Sequence, residues 1–128
     1  MSKLLLNRRH FSIVSGAALV GAAPLARGQN DDKIIVGQTA PFTGPAAQLG
    51  IQFYQGAKLH FDRANAQGGH RPIEIRNLDD GYEPDRCVAN TKKFIDDNVT
   101  ALFGYIGTPT SLAALPLAVQ ARVPFFAP

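Results

Sequence analysis

The sequence lacks tryptophan and has one methionine, Met1, and one cysteine, Cys87. A lone thiol excludes an internal disulfide framework. His60 and His70 stand apart from each other and from Cys87, with no metal-ligand spacing among them. No metal and no cofactor are therefore expected. There is no Gly-x-Gly-x-x-Gly, no Walker lysine loop and no Gly-x-Ser-x-Gly elbow, so nucleotide-binding and hydrolase signatures are missing. No acid, histidine and nucleophile fall at spacings that suggest a triad, and no catalytic residue is expected. There is no internal repeat, low-complexity segment or interdomain linker. The most apolar run, Phe11 to Leu25, is too short and too diluted by Ser12, Ser15, Gly16 and Gly21 to span a membrane comfortably.

An excess of basic charge is also missing once the chain is divided. The formal charge is +3 over 128 residues, but residues 1–28 hold Lys3, Arg8, Arg9 and Arg27 and no acid. The remainder carries nine basic residues against ten acidic ones, a net charge of −1. This removes the main support for a nucleic-acid partner. Residues 1–28 read instead as an export signal peptide: a positive start, an apolar middle, and Ala26-Arg27-Gly28 as a small-residue cleavage site near Gly28. Arg8-Arg9-His10-Phe11 resembles the twin-arginine pattern. Asn7 and Ser12 depart from its usual flanks, so the general secretion route stays open. Residues 29–128 would then be periplasmic.

Within residues 29–128, strand and helix signals alternate. Lys33 to Gln38 is a β-branched run, consistent with a buried parallel strand. Thr39 to Gly50 is rich in Pro and Gly and reads as a long binding loop or surface excursion. Ile51 to Ala66 has helical period, with Ile51, Tyr54, Ala57, Phe61 and Ala64 on one face. Ile73 to Leu78 alternates as a half-exposed strand should. Asp85 to Asn98 is a second helix whose buried stripe is Cys87 or Val88, Thr91, Ile95 and Val99. Thr100 to Phe103 is a third strand, Leu112 to Val119 a third helix, and Arg122 to Pro128 a fourth strand. Pro116 has to lie in the first turn of that helix or kink it. The order βαβαβαβ predicts an open parallel sheet with helices on both faces. No helix follows the fourth strand, so the chain reads as the truncated first part of a larger lobe.

Two strand-to-helix turns carry candidate chemistry. Gly104 to Ser111 holds two glycines and three aliphatic hydroxyls. Such a turn gathers backbone N–H groups and a helix dipole, suited to a carboxylate, at the carboxyl end of a strand where open α/β sheets bind ligands. Alternatively, Thr108 or Thr110 simply caps the helix. Asp79-Asp80 at the second strand end suits Mg²⁺ or a phosphoryl group, or else is a turn former or N-cap together with Asp85.

Taken together, these residues resemble type I periplasmic binding proteins of the branched-chain amino acid (Leu/Ile/Val) class, the receptors of ABC importers. The resemblance rests on Ile34 to Gly37, Thr43 to Gly50, Gln55-Gly56-Ala57, Ala64 to Gly69, Asp79-Asp80, Gly104 to Ser111 and Val123 to Pro128. It implies a two-lobed protein, monomeric when complete, that closes on a small ligand without catalysis and delivers it to an ABC permease in the inner membrane. It implies that Thr108, Pro109 and Thr110 hold the ligand's carboxylate or amide, with Gly107 in the same turn, Leu49 packing on the ligand and Ile106 near it. Leucine-binding members commonly have an aromatic at the Leu49 position. Some join the positions of Tyr82 and Gly107 by a disulfide, and neither is cysteine here. The expected ligand is therefore an amino acid or similar small carboxylate or amide, and not leucine in particular. Two other functions fit the same residues: the sensory ectodomain of a signalling receptor, and a metal-dependent α/β enzyme using Asp79 and Asp80.

Overall fold

The computed structural model describes residues 32–128; the export signal expected at residues 1–28 lies outside them. Seven elements follow in order: β1 (Ile34–Ala40), α1 (Ala47–Gln67), β2 (Ile73–Asp79), α2 (Pro84–Asp96), β3 (Ala101–Phe103), α3 (Thr108–Ala121) and β4 (Phe125–Phe126). The four strands form one sheet in the order β2-β1-β3-β4, and every pairing is parallel. This is the expected open parallel α/β sheet.

The helices divide between the two faces, as alternating side chains on β1 make plain. Gly37 points toward α2, where a Cβ would come within 2.6 Å of the Phe94 ring. On the opposite face Phe53 and Phe61 of α1 stack on Phe103 at centroid distances of 5.7 and 5.5 Å. The fully enclosed core lies on the α2 and α3 side and contains Ile35, Cys87, Phe94, Leu102, Tyr105, Ala114 and Ala118. Small residues on α3, Ala114 and Ala118, allow it to lie close to α2. At the amino ends of the strands, Asn65 ties α1 to β2. Its side chain accepts from Ile73 N–H and donates to Ile73 C=O, both at 2.8 Å.

The starts of α1 and α3 and the buried stripe of α2 differ from the sequence expectation, and the fourth strand, expected over residues 122–128, is confined to Phe125–Phe126. The loop expected over residues 39–50 shortens to 41–46, because β1 runs on to Ala40 and α1 begins at Ala47. Gly50 lies inside the first turn of α1, where a Cβ would stand 2.0 Å from the Pro41 carbonyl oxygen. It is a contact glycine and not a helix breaker. α3 begins at Thr108 and not Leu112, with Pro109 in its first turn, where a fixed φ suits helix initiation. Pro116 therefore falls beyond the first turn, inside the helix. On α2 the stripe is completed by Phe94, which is buried, and not by Ile95, which is half-buried.

Candidate functional site

The strand order reverses between β1 and β3: β1 leads through α1 to one side of the sheet, and β3 through α3 to the other. The loops leaving these neighbouring strands depart on opposite faces and leave a crevice at their carboxyl ends, the place where open α/β sheets take ligands. The Gly104–Ser111 turn lies there. Gly104 has φ 71° and Gly107 φ 107°, backbone that glycine adopts without strain. Gln38, buried on β1, donates its side-chain N–H to the Gly104 carbonyl at 3.2 Å and braces the turn from below.

The capping alternative does not describe this turn. The N-cap position is Gly107, and it makes no side-chain capping bond. The Thr110 hydroxyl is fully buried and points back, donating to the carbonyls of Ile106 at 2.8 Å and Gly107 at 2.9 Å. Among the described residues nothing accepts from the N–H groups of Thr108 and Thr110, and the first α-helical bond runs from Ser111 N–H to Gly107 O at 2.9 Å. The Thr108 N–H at the positive end of α3 therefore stays available beside the exposed Thr108 hydroxyl, whereas the N–H of Thr110 belongs to a fully buried residue. That combination suits an anionic or carbonyl oxygen.

A hollow of about 340 Å³ opens at this point, lined by Tyr82, Gly107, Thr108, Ser111, Leu112, Ala127 and Pro128. Of the expected site residues, Gly107 and Thr108 line it. Thr110 does not line it: the residue is fully buried beneath, its hydroxyl already engaged. Pro109 is exposed beside it and has no N–H to donate. Ile106 is half-buried and acts through its carbonyl. Leu49 is 57% exposed in the first turn of α1 and is not part of the hollow's wall. Tyr82, Ser111 and Leu112 were not expected. Tyr82 escapes notice because its placement depends on a left-handed backbone, φ 72°. Ser111 belongs to the expected turn without a named role, and Leu112, expected to open the helix, becomes lining because the helix starts earlier. The Tyr82 and Gly107 positions touch: a Cβ on Gly107 would lie 2.7 Å from Cε2 of Tyr82. A second hollow of about 340 Å³ lies at the opposite end of the sheet, between α1 and β2. Its charged walls are occupied with one another, Lys33 with Glu74 and Lys58 with Asp62.

Asp79 and Asp80 are structural acceptors. Asp79 receives Phe42 N–H at 2.7 Å, Thr43 N–H at 3.2 Å, Gly81 N–H at 3.0 Å, the Thr43 hydroxyl at 2.6 Å and Arg86 Nη2 at 2.9 Å. Burial alone would raise its pKa, but the Thr43 hydroxyl, the two amides and Arg86 outweigh that and hold the carboxyl well below the usual range. Asp80 is buried; it accepts the Thr39 hydroxyl at 2.9 Å and Tyr82 N–H at 2.8 Å, and burial pushes its pKa up. Both oxygens of each acid are committed to protein donors. Among the described residues no group of three or more His, Cys, Asp or Glu side chains could hold a metal ion. These acids tie the β1–α1 loop to the β2–α2 turn, so they set the two loops that flank the crevice.

The fold and the exposed donors at its switch point define an α/β unit of the ligand-binding kind. Residues 33–128 match the family model of the periplasmic binding proteins, and the chain belongs to that family. It is 29% identical over 123 residues to Leu/Ile/Val-binding protein homolog 7 of Brucella suis, covering 92% of this chain and 29% of that one. Among solved structures it resembles a possible leucine/isoleucine/valine-binding protein of Rhodopirellula baltica, with 38% identity and a TM-score of 0.71 over 75% of this chain and 27% of that one. It also resembles an ABC transporter solute binding protein of Rhodopseudomonas palustris in complex with 3,4-dihydroxy benzoic acid. There the identity is 34% and the TM-score 0.71, over 76% of this chain and 27% of that one. The chain thus spans less than a third of the length of these relatives. Among the described residues no helix is long and apolar enough to cross a membrane.

Proposed function

We propose that this chain is the first part of the substrate-binding component of an ABC importer, exported to the periplasm by residues 1–28. It binds an amino acid or a similar small carboxylate or amide, carries out no chemistry, and passes the ligand to a permease of the inner membrane. The observation that carries this reading is the unbonded N–H of Thr108 beside the exposed Thr108 hydroxyl at the switch point. Pre-set donors of this kind hold an oxyanion without reorganising. The relatives support the class and leave the ligand open, since one is named for Leu, Ile and Val and another holds a dihydroxybenzoate.

The test is a thermal-shift panel of aliphatic, aromatic, acidic and amide ligands on the full chain as its source encodes it, with Thr108→Val alongside. A ligand that raises the melting temperature of the parent should bind Thr108→Val about tenfold more weakly, the worth of one hydroxyl donor to a charged acceptor. No shift with any member of the panel overturns the small-carboxylate reading.

A further inference from the structure

Tyr82 forms one wall of the hollow at the start of α3. Its backbone is left-handed, with φ 72°, which is uncommon for a bulky residue and has to be held in place. Buried Asp80 holds it by accepting Tyr82 N–H at 2.8 Å, while the Thr39 hydroxyl fixes the other oxygen of that carboxylate at 2.9 Å. Gly81 just before it is left-handed as well, with φ 57°. The backbone is thus turned twice to bring one aromatic ring over Gly107, where a Cβ would stand 2.7 Å from Cε2 and 2.9 Å from Cζ. Only a residue without a side chain lets the ring lie against the peptide that starts α3. Tyr82 is still 38% exposed, and among the described residues no other aromatic ring stacks on it. Leu112, 63% exposed, adds apolar surface to the same hollow.

We propose that Tyr82 is a specificity-determining residue of the ligand site, an aromatic wall that favours a carboxylate bearing an aromatic ring over one bearing a branched aliphatic chain. This rests on the ligand-site reading given above. A ligand whose carboxylate meets the N–H and hydroxyl of Thr108 carries its remaining atoms into the hollow that Tyr82 and Leu112 border. A planar ring there can take the offset or edge-on arrangement that aromatic pairs prefer, which adds about threefold to tenfold in affinity beyond the area buried. A branched aliphatic chain gains the burial and not that term. The shared chemistry is a ring and a carboxylate. It is met by a free aromatic acid or by an aromatic amino acid.

The test is isothermal titration calorimetry of the full encoded chain with benzoate, phenylalanine, leucine and isoleucine, on the parent, Tyr82→Phe, Tyr82→Leu and Thr108→Val. The parent should bind benzoate or phenylalanine at least about threefold tighter than leucine and isoleucine. Tyr82→Phe should keep that preference and Tyr82→Leu should lose it. Benzoate above phenylalanine identifies a free aromatic acid, and the reverse an aromatic amino acid. A parent that prefers leucine or isoleucine overturns the proposal, and this arm needs no variant to fold. A preference that survives in Tyr82→Leu overturns it too, as does failure of all four probes to bind. If Thr108→Val weakens every ligand while Tyr82→Leu changes nothing, the aromatic wall is wrong and the site stands. If Thr108→Val changes nothing, the site itself is wrong.

Discussion

Adding one methyl group at Gly50 should destabilise the protein, although in most helices the same change stabilises it. Gly50 lies in the first turn of α1. A Cβ there would stand 2.0 Å from the Pro41 carbonyl oxygen, 2.9 Å from the Pro41 carbonyl carbon and 3.3 Å from Ala40 Cβ. Non-bonded carbons rest at about 3.5–4.0 Å, so the overlap exceeds about 1 Å. Replacing glycine by alanine in a helix ordinarily gains about 1 kcal/mol. Overpacking costs about 1–3 kcal/mol, and here the nearest obstacle is backbone, which cannot rotate away. The upper end applies, leaving Gly50→Ala less stable by about 2 kcal/mol. Gly56 on the same helix is the control, since a Cβ there meets nothing within 4 Å. Gly56→Ala should therefore gain about 1 kcal/mol. Urea denaturation of the full encoded chain reads both, as midpoints moving in opposite directions at unchanged slope. A Gly50→Ala protein as stable as the parent would refute the reasoning, and so would a Gly56→Ala protein that loses stability.

Other outcomes follow from the same contacts. Asp79 has a depressed folded pKa, so its contribution is present above the unfolded carboxyl's value of about 3.9 and is lost as pH falls toward the folded value. Urea midpoints measured from pH 7 down to pH 3 should therefore fall more steeply below about pH 4 for the parent than for Asp79→Asn. Thr110→Val removes the donor that serves the carbonyls of Ile106 and Gly107 and should lower stability by about 1–3 kcal/mol in the same assay. Gly107→Ala sets a side chain at φ 107° against the Tyr82 ring; it should weaken ligand binding in calorimetry and cost about 1–3 kcal/mol of stability. The Cys87 thiol is buried, and burial together with the Asp80 charge pushes its pKa up to about 12. Iodoacetamide at pH 8 should leave it unmodified in the folded protein and alkylate it in urea, as mass spectrometry would record.

The architecture was legible because the signals that carry it are local. Apolar runs bounded by Gly and Pro marked the strands, and the predicted inner face of α1, from Ile51 to Ala64, is the half-buried one. Boundaries were less legible where a tertiary contact decides them. Gly50 and Pro109 look like breakers in one dimension. In three they are a contact glycine and a helix starter. The Gly104–Ser111 turn could be recognised from its residues, but the division of labour within it could not. Whether a threonine hydroxyl faces a ligand or its own backbone depends on where the helix begins, and Thr108 and Thr110 differ in that respect. Asp79-Asp80 read more readily as turn formers than as a metal site, and the donors arriving from Phe42, Thr43, Gly81, Arg86, Thr39 and Tyr82 make them structural acceptors.

The most direct test of the ligand site is a ¹H–¹⁵N correlation spectrum of the full encoded chain, titrated with a panel of small carboxylates and amides. The ligand that binds should move the amide resonance of Thr108 most, because that N–H passes from an open donor to a charged hydrogen bond. Saturable binding that leaves this resonance in place, and shifts residues of the Lys58 and Glu74 hollow instead, would contradict the ligand site.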